Sequence, residues 1–257
     1  MVEALALSLL TGIFVGISAG YLGSLMVLKK MSLVADALSH VALPGLALGI
    51  LFNFPSFLGA FSFLFASALA IWYLGKVTRL SYETIVGAVF TLALAVGVLM
   101  IPEAELLEAL FGDITTVTIV DTAAAVIVSI VAVVVTRAIY GKLVLGMISE
   151  ELAISRGIDV SKVNLLYLLL VSLVVAVGIK IVGTLLVGFL VIVPAAAAKN
   201  VSSDLSKYAL LSTSFGVASA CSGIIVANYL NIATGPLVVL SGIVVFIITV
   251  VAKWMTK

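Results

Sequence analysis

The chain reads as an all-α integral membrane protein with about nine spanning helices, or eight if two of them merge. Three observations predict this class. Of 257 residues, 64% are hydrophobic and only 10% are charged, with a mean hydropathy of +1.40, far outside the soluble range. The apolar residues gather in runs of about 20, the length that a bilayer core demands. Lysine and arginine fall in alternate connections between those runs, the asymmetry that orients spans in a membrane.

The runs lie at 4–28, 33–52, 56–75, 84–101, 119–139, 163–179, 181–198, 208–228 and 234–252. The first resembles a signal peptide in position. It opens Met1-Val2-Glu3 without a basic segment and stays apolar to Leu28, so an uncleaved span is expected. Lys29 and Lys30 follow it; Lys76 and Arg79 follow the third run; Arg137, Lys142, Arg156 and Lys162 surround the junction after the fifth. Lys199, Lys207, Lys253 and Lys257 continue the alternation, and Lys180 alone falls on the other side. The opposite connections are short (Asn53-Phe54-Pro55) or acidic (Glu103, Glu105, Glu108 and Asp113). The N-terminus is therefore expected outside and the C-terminus in the cytoplasm. The boundary at Lys180 separates the two runs that would merge in an eight-span chain. Residues 1–257 form one transmembrane domain on this reading, with no repeat and no soluble segment.

Gly12, Gly16 and Gly20 recur every four residues, a pattern that lets helices approach closely in lipid. Cys221, the one cysteine, lies in an apolar run and excludes an internal disulfide or a cysteine metal cluster. The net charge of +1 gives no hint of nucleic acid as a partner.

Chemistry concentrates in the second run. It holds the single histidine, His40, with Asp36 four residues before it. On a helix the two share a face, and carboxylate plus imidazole suits zinc, manganese and iron alike. Ionisable groups inside an apolar span are costly and tend to line a path or a bundle interior. Pro44-Gly45 follow directly and are expected to kink or break the helix, freeing carbonyls. Glu83 stands behind Ser81 near the start of the fourth run, where it serves as charge at a helix N-terminus or as a secondary cation contact. A helix-packing role for His40, hydrogen-bonded to Asp36 or to a carbonyl, is the competing use of the pair.

Two connections stand out. The segment 102–118 is long and acidic, either a solvated connector or a docking rim for an external partner. The segment 141–162 contains Ser149, an N-cap residue, then Glu150 and Glu151 in a first turn, and Gly157 as a stop. A short cytoplasmic helix is expected there, with apolar Leu152 and Ile154 beside the charged Arg156 as a surface for another protein.

In order along the chain, Gly23-Ser24-Leu25-Met26-Val27-Leu28-Lys29-Lys30 through Asp36-Ala37-Leu38-Ser39-His40, Tyr82-Glu83-Thr84-Ile85-Val86-Gly87, Leu110-Phe111-Gly112-Asp113-Ile114, the Glu150 to Gly157 loop, Val182-Gly183-Thr184-Leu185-Leu186-Val187 through Val193-Pro194-Ala195-Ala196, and Ala233-Thr234-Gly235-Pro236 carry a resemblance. The chain resembles the permease subunit of ATP-binding-cassette importers for zinc, manganese or iron. That resemblance implies a fold like the vitamin B12 and siderophore importer permeases and a central path between two permease copies, as homodimer or heterodimer. It implies a cytoplasmic ATP-binding subunit, an extracytoplasmic metal-binding protein, a divalent metal as substrate and no permanently bound cofactor. It also makes the 149–157 segment a coupling helix, comprising Ser149, Glu150, Glu151, Leu152, Ile154, Arg156 and Gly157. The residues agree that any motor is elsewhere: no G-x-x-x-x-G-K-S/T occurs. No H-E-x-x-H occurs either, which disfavours an intramembrane hydrolase. The rival reading is a secondary carrier driven by metal or proton gradients, which tends to need several intramembrane acids or histidines in paired halves.

Overall fold

The computed structural model describes residues 2–78, 80–100, 110–112, 117–184 and 187–255. These residues form helices and connections, with no strand among them. In chain order the helices are α1 (Val2–Leu28), α2 (Ser32–Leu51), α3 (Ser56–Val77), α4 (Tyr82–Met100), α5 (Ile119–Ile148), α6 (Glu150–Ser155), α7 (Val160–Val182), α8 (Val187–Val201), α9 (Leu205–Leu230) and α10 (Thr234–Met255). Eight are long and apolar enough to cross a membrane; α8, at 15 residues, is a shorter apolar helix. The Glu103, Glu105, Glu108 and Asp113 positions, Arg79, Leu185-Leu186 and Lys257 lie outside the described residues.

Helix α1 is the hub. It packs on α9, α5, α8 and α7, while α2 packs on α3, α4, α7 and α8. The α1–α9 seam is close because glycines face each other: a Cβ on Gly16 would stand 2.9 Å from the Gly216 carbonyl. Small residues substitute in this way for the hydrophobic drive that lipid removes. Toward α5, hydroxyls pair instead. The Thr11 Oγ1 donates to Thr122 Oγ1 at 2.9 Å, and Ser18 and Ser129 share a bond of 3.0 Å, both at a sequence offset of 111 residues. A constant offset means that α1 and α5 run parallel. Aliphatic side chains such as Leu92, Leu99, Ile127, Val134 and Ile248 point outward, as lipid-facing side chains do.

The threading alternates as the charge pattern predicts. Lys29 meets Asn164, Trp72 meets Ser161, Tyr208 packs against Val27 and Leu28, and Asn200 bonds Thr249. The ends of α1, α3, α8 and α10 and the starts of α7 and α9 therefore gather at one end, the basic one.

The break between the sixth and seventh runs falls later than the sequence suggests, since α7 continues past Lys180 to Val182 and α8 begins at Val187. Gly183, at φ 78°, accepts the left-handed turn, and the backbone of Leu110 and Gly112 closes over it. Val187, first residue of α8, and Val15, near the middle of α1, converge on Gly178. Helix α8 thus begins deep in the protein. Its rise of about 22 Å falls short of a hydrocarbon core of about 30 Å.

Candidate metal path and coupling surface

Asp36 and His40 lie on the first half of α2, one turn apart as their spacing requires. His40 is 8% exposed, and the Asp36 side chain is about half exposed at 47%. His40 Nε2 stands 4.0 Å from Asp36 Oδ1, too far for a hydrogen bond. The carboxylate and imidazole therefore face a common space without satisfying each other. The other ring nitrogen, His40 Nδ1, is buried and has no hydrogen-bond partner; such an orphan costs about 1–3 kcal/mol.

Three neighbours hold the pair. Phe90 of α4 meets the imidazole edge-on, with centroids 5.1 Å apart and planes at 65°. Ser39 Oγ donates to the Asp36 carbonyl at 2.6 Å. Gly188 of α8 lies directly over Asp36, where a Cβ would come within 2.6 Å of Asp36 Cα and 3.1 Å of Oδ1. Pro44 does not break α2, which runs unbroken from Ser32 to Leu51. Its local effect is chemical: lacking an N–H, it leaves the His40 carbonyl without its helical donor. Leu43 and Pro44 pack against Gly97 of α4, which supports the helix through that position.

The structure does not bring Glu83 to this pair. Glu83 is exposed in the first turn of α4, and among the described residues no three His, Cys, Asp or Glu side chains cluster to hold an ion. Gly188 and Phe90 were not legible as site residues. The glycine sits in an ordinary apolar run, and only the α2–α8 crossing brings it onto Asp36. Gly188→Ala is accordingly expected to push Asp36 aside and cut metal uptake about ten- to a hundredfold, read in reconstituted vesicles, with the protein still assembling.

At the basic end, α6 has the predicted caps. Ser149 Oγ accepts from the Leu152 N–H at 3.1 Å. At the other end Gly157, at φ 73°, donates to Ile154 and Ile158 donates to Ala153, a Schellman closure. Ala153 is fully buried against the protein, whereas Leu152 (45%) and Ile154 (59%) are exposed, as are Glu150, Glu151 and Arg156. Asp159 then caps α7: the Lys162 N–H that it accepts at 3.1 Å, together with the Lys162 ammonium, holds its carboxyl below the usual range.

The chain is thus a helical membrane protein that carries a carboxylate–imidazole pair on α2 and a short capped helix with two exposed apolar side chains between α5 and α7. The chain belongs to the ABC 3 transport family, which matches residues 1–253. Among its relatives is the manganese transport system membrane protein MntC of Listeria monocytogenes, 32% identical over 94% of this chain and 88% of that protein. Another is the high-affinity zinc uptake system membrane protein ZnuB of Buchnera aphidicola, 31% identical over 95% of this chain and 96% of that protein. Among solved structures, PsaBC from Streptococcus pneumoniae in complex with Fab superposes with a TM-score of 0.83 at 30% identity, covering 94% of this chain and 89% of that one.

Proposed function

We propose that this chain is the membrane-spanning subunit of an ATP-driven importer of divalent transition metal ions. The observation that carries the reading is the Asp36–His40 pair on α2, 4.0 Å apart, in a family whose relatives include manganese and zinc transport proteins. Metal arrives from an extracytoplasmic binding protein, meets Asp36 and His40, and leaves toward the cytoplasm. Two ligands per copy make a transient site, because a path must release what it binds; a second permease copy supplies the other half of the coordination. Manganese, zinc and iron all suit this donor pair. Hydrolysis of ATP occurs in a separate cytoplasmic subunit, and α6, from Ser149 to Gly157, seats against it. Glu83, exposed in the first turn of α4 and apart from the pair, acts as charge at that helix N-terminus.

The test is uptake into proteoliposomes. Radiolabelled manganese or zinc is expected to enter only when the ATPase subunit and ATP are present. Uptake by the permease alone, driven by a proton gradient, would replace this reading with a secondary carrier.

The basic end faces the cytoplasm. In a Cys221→Ala background, Asn53→Cys is expected to react with an impermeant thiol reagent from outside, and Ser155→Cys only from inside. Both positions are exposed at opposite ends. Reversed labelling would overturn the orientation and the docking assignments with it.

A further inference from the structure

We propose that the first turns of α7 are the transmission clamp of this permease: Ser161 and Asn164 grip, through Trp72 and Lys29, both cytoplasmic legs of the α2–α3 hairpin that carries Asp36 and His40. The proposal rests on the importer reading above and deepens it by naming residues that join the docking helix to the path.

The two grips are polar and half-buried. Trp72, near the end of α3, donates its Nε1–H to the Ser161 carbonyl at 3.0 Å and to the Ser161 hydroxyl at 2.9 Å. Lys29, in the turn that leads into α2, donates to Asn164 Oδ1. Its ammonium also lies 5.9 Å from the centroid of Tyr167, whose buried hydroxyl donates to the Leu22 carbonyl at 2.6 Å. Burial pushes the Lys29 ammonium down to about 8, and Glu150, the first residue of α6, acts across space to keep it charged. Ser161 and Asn164 are three residues apart, so one face of α7 holds both legs.

The connection from α6 is short and closed. The helix ends in the Gly157 closure, and Asp159 caps α7 directly after it. A displacement of α6 therefore has little slack to absorb before it reaches Ser161. The hairpin beyond is stiff: α2 and α3 pack with the backbones of Gly45 and Gly59 in contact. The turn before α2 is also under tension. Lys30 occupies the left-handed position at φ 58°, inside a closure made by Lys30 to Val27 and Met31 to Met26. Glycine is the usual residue there, because the Cβ of any other residue crowds the following carbonyl in that conformation. Moving both legs together shifts Asp36 and His40 relative to Gly188 of α8, which opens or closes the space that they face.

Static staples would give the same bonds, so the test reads coupling rather than amount of protein. The complete importer is reconstituted with its ATPase and binding protein, and ATP hydrolysis and manganese uptake are measured side by side. The Lys29→Met/Trp72→Phe double variant is expected to bind the ATPase and hydrolyse ATP while importing about tenfold less manganese per ATP, the factor expected from losing a charge-assisted bond. Lys29→Arg, which keeps a donor, is expected to stay within about twofold of wild type. A double variant with the wild-type ratio of metal to ATP overturns the clamp, as does a fall in hydrolysis and uptake that preserves the ratio. Should Lys29→Met fail to accumulate, Asn164→Leu with Trp72→Phe breaks the same contacts, the Lys29 bond now from the α7 side, with the same two outcomes. Wild-type protein without ATP-dependent uptake removes the importer reading and the clamp together. Wild-type uptake with an unaltered double variant removes the clamp alone.

Discussion

Asp36→Asn and His40→Ala are each expected to reduce metal uptake at least about a hundredfold, to the level of empty vesicles, while the permease still folds and still binds its ATPase. The two groups are the ionisable side chains that α2 contributes to its interior. They stand 4.0 Å apart and face one space. Asp36→Asn keeps the shape and removes the charge, so it separates cation binding from packing. On the site proposed above, loss of one of two ligands per copy costs several kcal/mol of cation affinity, and about 1.4 kcal/mol is a factor of ten. His40→Ala removes a buried ring that rests against Phe90, so some loss of stability accompanies it; His40→Gln controls for the cavity. The double variant is expected to be no worse than either single one, because groups acting as a unit are non-additive. Uptake at the wild-type rate in the double variant would remove the pair from the mechanism and leave His40 as a packing residue.

Leu152→Asp is expected to give a folded permease that loses its ATPase in pull-downs and no longer imports metal. Interface energy concentrates in a few buried anchors, and Leu152 and Ile154 are the exposed apolar side chains of α6. A charge forced into that contact without a partner costs a few kcal/mol, enough to release the motor. The fold should tolerate it, since the side chain is 45% exposed and Ser149 and Gly157 still cap the helix. Ala153→Asp is the contrasting control: this residue is fully buried against the membrane domain, so the substitution is expected to reduce the amount of folded protein instead. Retention of the ATPase and of ATP-dependent uptake by Leu152→Asp would show that this loop is not the coupling element.

Local order determined much of this protein before any packing was known. Most apolar runs became helices within about three residues of their expected ends, because each needs only its own length and hydropathy; the fifth runs nine residues further, to Ile148, and the seventh begins six residues later, at Val187. Asp36 and His40 share a face because four residues make about one helical turn. The caps of α6 followed from Ser149 and Gly157, whose chemistry acts within a single turn. The relations that turn these parts into a path are not local. Gly188 sits on Asp36, and Phe90 on His40, only because α2 crosses α8 and α4 at those residues. Pro44 stays inside a continuous helix, supported by packing at Gly97, where the sequence suggests a kink or a break. The short α8 and its deep start depend on Gly183 turning beneath the returning residues Leu110 and Gly112, a contact with no signature in either stretch. Trp72 and Lys29 found Ser161 and Asn164 across 89 and 135 residues of chain. Periodicity constrains which face of a helix is apolar; the residue that meets a given side chain across an interface depends on crossing angle and register, which only tertiary packing decides.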